Sequence, residues 1–171
     1  PEVEPDEWIE AEAIVLATGG LSFPRTGSDG TGYALALALG HTLVPPIPAL
    51  TPLASEDGLC RLAQGVTHDV ALTLWSGSRR VVTVRGSMLI AHFGYSGPAA
   101  LDLSRHWLRA ADDPARRVTM SLAPGERSDT LLAAWLGAVA AGPRARLRNW
   151  LGRWMPDRLA LVLCDEVGVE S

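Results

Sequence analysis

The feature that most constrains the fold is a short apolar run followed by a glycine-rich loop and a helix-forming stretch. The run extends from Ala13 to Ala17 and stops at Gly19-Gly20, which is typical of a buried strand in a parallel sheet. Residues 21–32 contain too much proline and glycine for the interior of a helix or strand. Leucines and alanines then predict a helix from Tyr33 to Leu39, with Gly40 as its C-terminal cap. This order of elements predicts α/β architecture.

The glycine-rich loop at 21–32 offers chemistry as well as a turn. Backbone N–H groups at the start of a helix, together with the helix dipole, favour an anion such as phosphate. Glycines let a ligand approach the backbone closely, and the hydroxyls of Thr26, Ser28 and Thr31 add donors. The spacing matches neither a dinucleotide-binding GxGxxG nor a GxxxxGK[ST] phosphate loop. A tight turn whose hydroxyls cap the helix explains the same residues, so both interpretations stay open.

A proline-rich segment separates this part from a region of different periodicity. Residues 44–53 hold four prolines and predict a linker, since proline suits neither a helix interior nor a central strand. Alternating apolar residues between 70 and 122 then predict short antiparallel strands, with breaks at 76–78 and at 85–87. Within this region, Ser96 is expected to cap a helix that runs through Trp107.

From Ser128 onward, apolar residues at helical spacing predict three helices. Ser128 or Asp129 is expected to cap the first helix, Gly142-Pro143 to end it, and Pro156 to open the third. Aromatic residues that share this spacing with leucines are expected to pack in the core. These are Trp135, Trp150 and Trp154.

Composition excludes several classes of function. All 15 basic residues are arginine, so lysine Schiff bases and a lysine-bearing phosphate loop are excluded. The net charge of −4 argues against a general nucleic-acid binder. Cys60 and Cys164 lack a CxxC spacing, which indicates neither a metal site nor a disulfide framework. Neither a long apolar span nor a signal peptide is evident, which predicts a cytoplasmic protein without a membrane partner.

Three blocks of sequence carry a resemblance to a known family. The first is ATGG at 17–20 with SFPRTGSDGTGY at 22–33, and the second is AHFGYSGPAALDLS at 91–104. The third comprises LRNWL at 147–151 and MPDRL at 155–159. Together they resemble the YhiN/BaiN-like FAD-dependent flavoproteins, which are relatives of aminoacetone oxidase.

The resemblance implies that the chain is an internal fragment of a flavoprotein. Family members open with a GxGxxG fingerprint and end with a further flavin-contacting segment, and this sequence contains neither. The implied fold class is α+β, a piece of an α/β domain with inserts. Residues 1–45 are then part of a Rossmann-like FAD-binding domain, 46–123 a β-rich, barrel-like insert domain, and 124–171 a small helical insert.

The function implied by the resemblance is part of an FAD-dependent oxidoreductase that acts on a small-molecule substrate. NAD(P)H is a candidate electron donor, and the flavin carries the hydride or electrons. The fragment alone is expected to be inactive and not to retain FAD. Two alternatives stay open: a stand-alone phosphate- or nucleotide-binding module that uses the glycine-rich loop, and a non-catalytic structural domain.

In the family the ATGG turn and the loop after it line the flavin site. The implied cofactor-binding residues are Thr18, Gly19, Gly20, Ser22, Pro24, Thr26, Gly27, Ser28, Asp29 and Gly30. Asp29 also suits a helix cap or turn, and Arg25 suits either an anion contact or a surface ion pair. His92 is the candidate for proton transfer, because imidazole titrates near neutral pH, although hydrogen bonding within the neighbouring turn explains it as well. No metal site is expected.

Overall fold

The computed structural model describes residues 9–142 and 146–169 of the chain. The chain divides into two compact units, residues 1–46 and residues 47–171. The boundary lies within the proline-rich segment, and the second unit contains both the strands and the helices that follow them. The finer division at residue 123 stays a prediction.

Within residues 9–46, the first unit contains one α-helix and a structured loop before it. A single 3-10 turn spans Pro24–Thr26, and α1 spans Thr31–Ala38, starting two residues before the predicted position. The Gly40 and His41 amides donate to the Leu37 and Ala36 carbonyls. Together with the left-handed φ of +86° at Gly40, these bonds confirm the predicted glycine cap.

The strand predicted at Ala13–Ala17 is wrong for the described structure. This run forms no strand, and the side chains of Ile14 and Val15 are 82% and 87% exposed. A strand needs a neighbouring strand for its hydrogen bonds, and no described strand pairs with this run. The Rossmann-like character of this unit stays a prediction.

The second unit is built on a mixed α+β plan around an antiparallel sheet. Its strands are β1 (Leu53–Ala54), β2 (Thr67–Ser76), β3 (Arg79–Ala91), β4 (Gly94–Ser96) and β5 (Arg116–Ser121). They are ordered β1-β4-β3-β2-β5, and the sheet curls into a half-barrel whose two edges are β1 and β5. This agrees with the predicted barrel-like region.

The β2–β3 hairpin is the largest part of the sheet. The two strands turn at Gly77-Ser78, as the sequence predicts, and pair with Thr73 opposite Thr83. A bulge shifts the register between Leu74 and Trp75. The break predicted at 85–87 is wrong, because β3 is a single strand of 13 residues that runs through these positions.

Five helices accompany the sheet in the part of the second unit that the structure describes. They are α2 (Gly58–Leu62), α3 (Pro98–Arg109), α4 (Ser128–Ala141), α5 (Leu147–Leu151) and α6 (Asp157–Glu166). Leu72 and Leu74 from β2 and Met88 and Ile90 from β3 pack with Leu103 of α3 in the core. This apolar burial is the dominant favourable term in the stability of the unit.

Two of the predicted helix caps are wrong. Gly97, not Ser96, is the N-cap of α3, because Ser96 still belongs to β4. The N-cap of α4 is Arg127, and Asp129 lies within the first turn, where its Oδ1 accepts a bond from the Thr130 amide at 2.9 Å. Gly142 is the C-cap of α4, whereas Pro143 lies outside the described residues.

The tryptophans of the helical part pack on one another, as predicted. The Trp150 ring centroid lies 5.5 Å from that of Trp135 and 4.5 Å from that of Trp154. Only 7% of Trp150 is exposed. The cluster joins α4 and α5 to the turn that precedes α6.

Candidate functional site

The predicted cofactor-binding loop of the first unit is a compact turn stabilised by its own backbone. The Gly30 amide donates to the Gly20 carbonyl at 3.1 Å, which ties the end of the loop to the ATGG turn. Phe23 and Ser28 form an isolated antiparallel bridge across the loop. The structure therefore brings residues 18–20 together with residues 28–30, which are separated in the sequence.

Asp29 lies at the N-terminus of α1. Its Oδ1 accepts hydrogen bonds from the Thr31 amide at 3.0 Å and the Thr31 hydroxyl at 2.7 Å. Those bonds hold the pKa of the Asp29 carboxyl below its usual value. The N-cap itself is Gly30, so Asp29 is a turn residue rather than the cap.

The glycines of the loop face the chain's own side chains. A Cβ on Gly19 would lie 2.7 Å from the Ser28 hydroxyl, and one on Gly30 would lie 2.6 Å from a methyl group of Leu21. A Cβ on Gly32 would collide with the Thr18 hydroxyl. These three positions let the turn close tightly, whereas Gly27 has open space around it.

The remaining loop residues are exposed and carry small or hydroxyl side chains. Thr18, Ser22, Pro24 and Thr26 all lie at the surface of the unit. Exposed hydroxyls, carbonyls and one carboxylate fit the hydrogen-bonding edge of a flat cofactor such as flavin. They do not fit a pyrophosphate, because the Asp29 carboxylate would repel it. The contacts of these residues with a cofactor stay a prediction.

His92 lies in the other unit, in the two-residue turn between β3 and β4. Its ring is exposed and packs edge-on against Phe93, with 5.1 Å between the centroids. It forms no hydrogen bond with any described residue. The alternative that His92 holds this turn by hydrogen bonds is therefore wrong, and its role in proton transfer stays a prediction.

Sequence reasoning missed a cavity in the second unit. It encloses about 630 Å³ and opens between the two edges of the sheet, with Leu53 of β1 on one side and Val118 and Met120 of β5 on the other. Most of its lining is apolar, and the polar part is formed around Asp57 and Tyr95. The lining contains two carboxylates and no basic side chain.

Asp57 organises this polar part. It caps α2 by accepting a bond from the Cys60 amide at 3.1 Å, and its Oδ2 accepts bonds from Tyr95 at 2.5 Å and Ser55 at 2.9 Å. Burial raises the pKa of Asp57, but these three hydrogen bonds outweigh it and leave the pKa below its usual value. Burial and the neighbouring carboxylate raise the pKa of Tyr95, so its hydroxyl stays protonated as a donor.

Gly94 brings β1 against β4 beside this cluster. A Cβ there would lie 2.7 Å from the Ser55 amide and would collide with the Leu53 carbonyl. The backbone φ of +137° also disfavours any other residue. A helix-capping pattern at Ser55-Glu56-Asp57 and the glycine at 94 were signals for this arrangement, but only the fold shows that the two segments meet.

The described part of the chain contains neither a metal-binding cluster nor a helix that could span a membrane. Within residues 9–142 and 146–169, no group of three or more histidine, cysteine or acidic residues is placed to hold a metal ion. Over the same residues, no helix has the length and apolar character needed to cross a membrane. Cys60 and Cys164 are both buried free thiols.

Comparison with known proteins identifies several relatives. The family described as the HI0933-like protein barrel and H2TH domain matches residues 47–171. The 3-dehydro-bile acid delta(4,6)-reductase of Clostridium scindens is 38% identical over 150 residues, which cover 87% of this chain and 37% of that protein.

Two further relatives have a different name. The ribosomal RNA dihydrouridine synthase of Escherichia coli is 31% identical over 154 residues, 88% of this chain and 36% of the relative. The one from Haemophilus influenzae is 28% identical over 160 residues, 92% of this chain and 37% of the relative. The chain thus spans little more than a third of the length of these three proteins.

Proposed function

The chain belongs to the HI0933-like family, and from this we propose that it forms part of an FAD-dependent oxidoreductase that reduces a carbon–carbon double bond beside a carbonyl group. The membership agrees with the resemblance seen in the sequence. The proposal concerns the full-length protein, of which the glycine-rich loop at 21–32 supplies part of the flavin site.

The names of the relatives support this reaction class. A delta(4,6)-reductase acting on a 3-dehydro-bile acid reduces a double bond in conjugation with a ketone. A dihydrouridine synthase produces a uracil ring whose double bond next to a carbonyl has been reduced. Such a bond accepts a hydride at one carbon and a proton at the other, which is the reduction that flavin chemistry supplies.

The likeness extends beyond the barrel domain into the first unit. Residues 47–171 number 125, whereas the match with the Clostridium scindens protein covers 150 residues. Part of the first unit is therefore included. This is the observation that carries the proposal, because a shared barrel alone would say nothing about the loop that is proposed to contact the flavin.

The residues of the loop would bind and orient the cofactor. The Asp29 carboxylate is held at the start of α1 by Thr31 and can accept a hydrogen bond from an N–H or hydroxyl of the cofactor. Thr26 and Ser22 add hydroxyl groups at the exposed side of the turn. The same carboxylate argues against the alternative of a stand-alone phosphate-binding module.

The proposed substrate is a molecule that contains the carbonyl-conjugated double bond, and NAD(P)H is the proposed electron donor. A small molecule and a uridine of RNA both satisfy this chemistry. Reduction also requires a proton, and His92 is the residue of this chain proposed to donate it.

An absorption spectrum of the purified full-length protein tests the cofactor. We expect the bands of oxidised flavin, bleached by NAD(P)H and restored by a conjugated ketone or by uridine-containing RNA. A full-length protein that stays colourless after refolding with FAD would contradict the proposal. The 171-residue chain by itself is expected to lose FAD on gel filtration.

Substitution tests the loop separately. Asp29→Asn keeps the shape of the turn but weakens the acceptor, so we expect a lower flavin content per protein. Asp112→Asn, an exposed carboxylate in the other unit, is the matched control and is expected to retain the wild-type content. Equal flavin content in the two variants would show that Asp29 does not contact the flavin. That result would leave the proposed activity unchanged.

A further inference from the structure

The curled sheet of the second unit has two edges that no other described strand covers. In the strand order β1 and β5 stand at the two ends, and each pairs with one other strand. The cavity lined by Leu53 and Met120 opens between these edges. A sheet edge presents unpaired backbone N–H and C=O groups, which can pair with a further strand. A strand in this gap would pair with both edges and close the half-barrel.

The strand directions favour one added strand. Every neighbouring pair in the sheet is antiparallel, so β1 and β5, the first and fifth in the order, run in the same direction. Direct pairing of the two edges would therefore create a parallel pair in an antiparallel sheet. A single strand that runs the opposite way is antiparallel to both edges and keeps the alternation.

The free edge of β5 is suited to main-chain pairing. The Gly77 amide donates to the Ala115 carbonyl, and in an antiparallel ladder every second pair of residues is hydrogen-bonded in this way. The backbone groups of Thr119 therefore point toward β2, whereas those of Val118 and Met120 point toward the free edge. The side chains of Val118 and Met120 line the cavity and are only partly buried. A strand beside β5 would satisfy these backbone groups and cover these side chains at once.

The end of α6 lies where such a strand has to begin. A strand antiparallel to β1 starts beside the residues that follow β1, among them Ser55 and Asp57. Glu166, the last residue of α6, lines the cavity together with these two residues. A Cβ on Gly58 would collide with the Glu166 carboxylate, so α6 ends close against the start of α2. The chain therefore leaves α6 at the entrance of the gap.

We propose that the segment following residue 171 in the full-length protein forms a strand between β5 and β1 and closes the barrel. The relatives are long enough to include such a segment, since nearly two thirds of the Clostridium scindens protein lies outside the match. The family that matches residues 47–171 is described as a barrel, and the five described strands leave one side of it open. A segment of the same polypeptide has a high effective concentration at the gap, which favours it over a second copy of the chain.

The cavity sets the pattern expected of the closing strand. Most of the lining is apolar, so alternate residues of the strand should be apolar and face inward. Near the entrance, Asp57 and Glu166 bring two carboxylates to the lining. Covering a carboxylate without a partner is costly, so the first inward residue of the strand should be basic or a hydrogen-bond donor. The proposal concerns the fold of the second unit and does not depend on the flavin chemistry.

Site-specific photo-crosslinking in the full-length protein tests which segment fills the gap. A diazirine amino acid replaces Met120, whose side chain lines the cavity, and mass spectrometry identifies the crosslinked peptide. The matched control places the same probe at Thr119, whose side chain lies on the opposite face of β5. We expect crosslinks from position 120 to peptides beyond residue 171, and their loss when the probe is at position 119.

Three crosslinking results would overturn the proposal. One is crosslinks from position 120 that reach only residues 1–171. Another is equal crosslinking from positions 119 and 120 to the peptides beyond residue 171. The third is a product of doubled mass that joins two polypeptides through position 120, which would assign the gap to a second copy of the chain.

Hydrogen exchange in the full-length protein measures the pairing of the edge itself. The Thr119 amide is the internal reference, because it points toward β2. With a closing strand in place, the amides of Val118 and Met120 should exchange within about tenfold of the Thr119 amide. Exchange of both amides at the rate of an unstructured peptide, with Thr119 still protected, would show an open edge and overturn the proposal.

Two substitutions at Val118 test the same bond through stability. Val118→Pro removes the amide that faces the free edge, whereas Val118→Ala shortens the same side chain and keeps the amide. In the full-length protein we expect the Tm of the proline variant to lie about 5 °C or more below that of the alanine variant. Equal Tm values would mean that this amide has no partner, since proline is tolerated at an open edge. If the proline variant does not fold, the exchange rates of the wild type still decide the question.

Discussion

The two compact units bury apolar side chains to very different extents. Among residues 9–46 only Gly32 is buried, whereas the second unit contains a continuous core that joins the sheet to α3 and α6. Both units nevertheless have apolar segments, and α1 is mostly leucine and alanine. The difference shows which elements form without a neighbouring element to pack against. A helix makes its hydrogen bonds within itself, so α1 forms, whereas the run at 13–17 has no strand beside it and stays irregular.

The largest contrast is expected from truncating one leucine in each unit. Leu74→Ala opens a cavity in the core of the second unit, where Leu74 is fully buried, and should cost about 2–5 kcal/mol in the free energy of unfolding. Leu35→Ala acts on a side chain that is 46% exposed and should cost less than about 0.5 kcal/mol.

Urea denaturation measures this difference when two signals are followed. Tryptophan fluorescence reports mainly the second unit, because five of the six tryptophans lie in residues 47–171, and far-ultraviolet circular dichroism follows the helices of both units. Equal shifts of the midpoint in the two variants would mean that Leu35 is as tightly packed as Leu74, contrary to its exposure.

Glycine-to-alanine substitutions compare how closely the backbone is packed in the two units. Gly94→Ala places a methyl group against the backbone of β1, and we expect a loss of about 3 kcal/mol from overpacking and backbone strain together. Gly27→Ala in the first unit meets open space, so only the left-handed backbone strain of about 1–2 kcal/mol remains. Thermal melting of both variants checks the order, and a Gly27 variant as destabilised as the Gly94 variant would contradict it.

A smaller effect is expected at the hydrogen bond between Tyr95 and Asp57. Tyr95→Phe removes one donor from a charged acceptor and should cost about 1.5–3 kcal/mol at neutral pH. The pKa of Asp57 is depressed in the folded protein. The stability that its carboxylate contributes is therefore fully present above the pKa of the unfolded chain, and it is lost as the pH falls through the pKa of the folded protein.

The pH dependence of stability separates this bond from simple packing. Wild-type stability should fall more steeply than that of Tyr95→Phe as the pH drops below about 4, where a carboxyl with a lowered pKa takes up its proton. Parallel curves for the two proteins would show that Tyr95 stabilises the fold by packing and not by holding the carboxylate.

Sequence patterns predicted the local features of this molecule well. The β2–β3 hairpin, the glycine cap of α1 and the tryptophan cluster follow from turn residues and from apolar spacing within a few residues. The continuity of β3 through Gly86 was missed, because a glycine in a strand interior resembles a turn signal until the neighbouring strands are known.

The sites were harder to predict for a related reason. Asp57 and Tyr95 meet although 38 residues separate them, and nothing in the spacing of either residue indicates the other. The glycine-rich loop at 21–32 was found because its residues are contiguous, whereas the choice between a helix cap and a turn residue for Asp29 required the structure.

The β2–β3 hairpin has a consequence for how the second unit folds. Its strands are joined by a two-residue turn, so most of its pairs form between residues that are close along the chain. By contrast, β5 reaches β2 only after a long excursion, with Ser121 pairing with Ala71. Because closing a long loop costs entropy before any contact is gained, we expect the hairpin to form early and β5 to join it late. One edge of the half-barrel is then ordered only after the hairpin on which it docks.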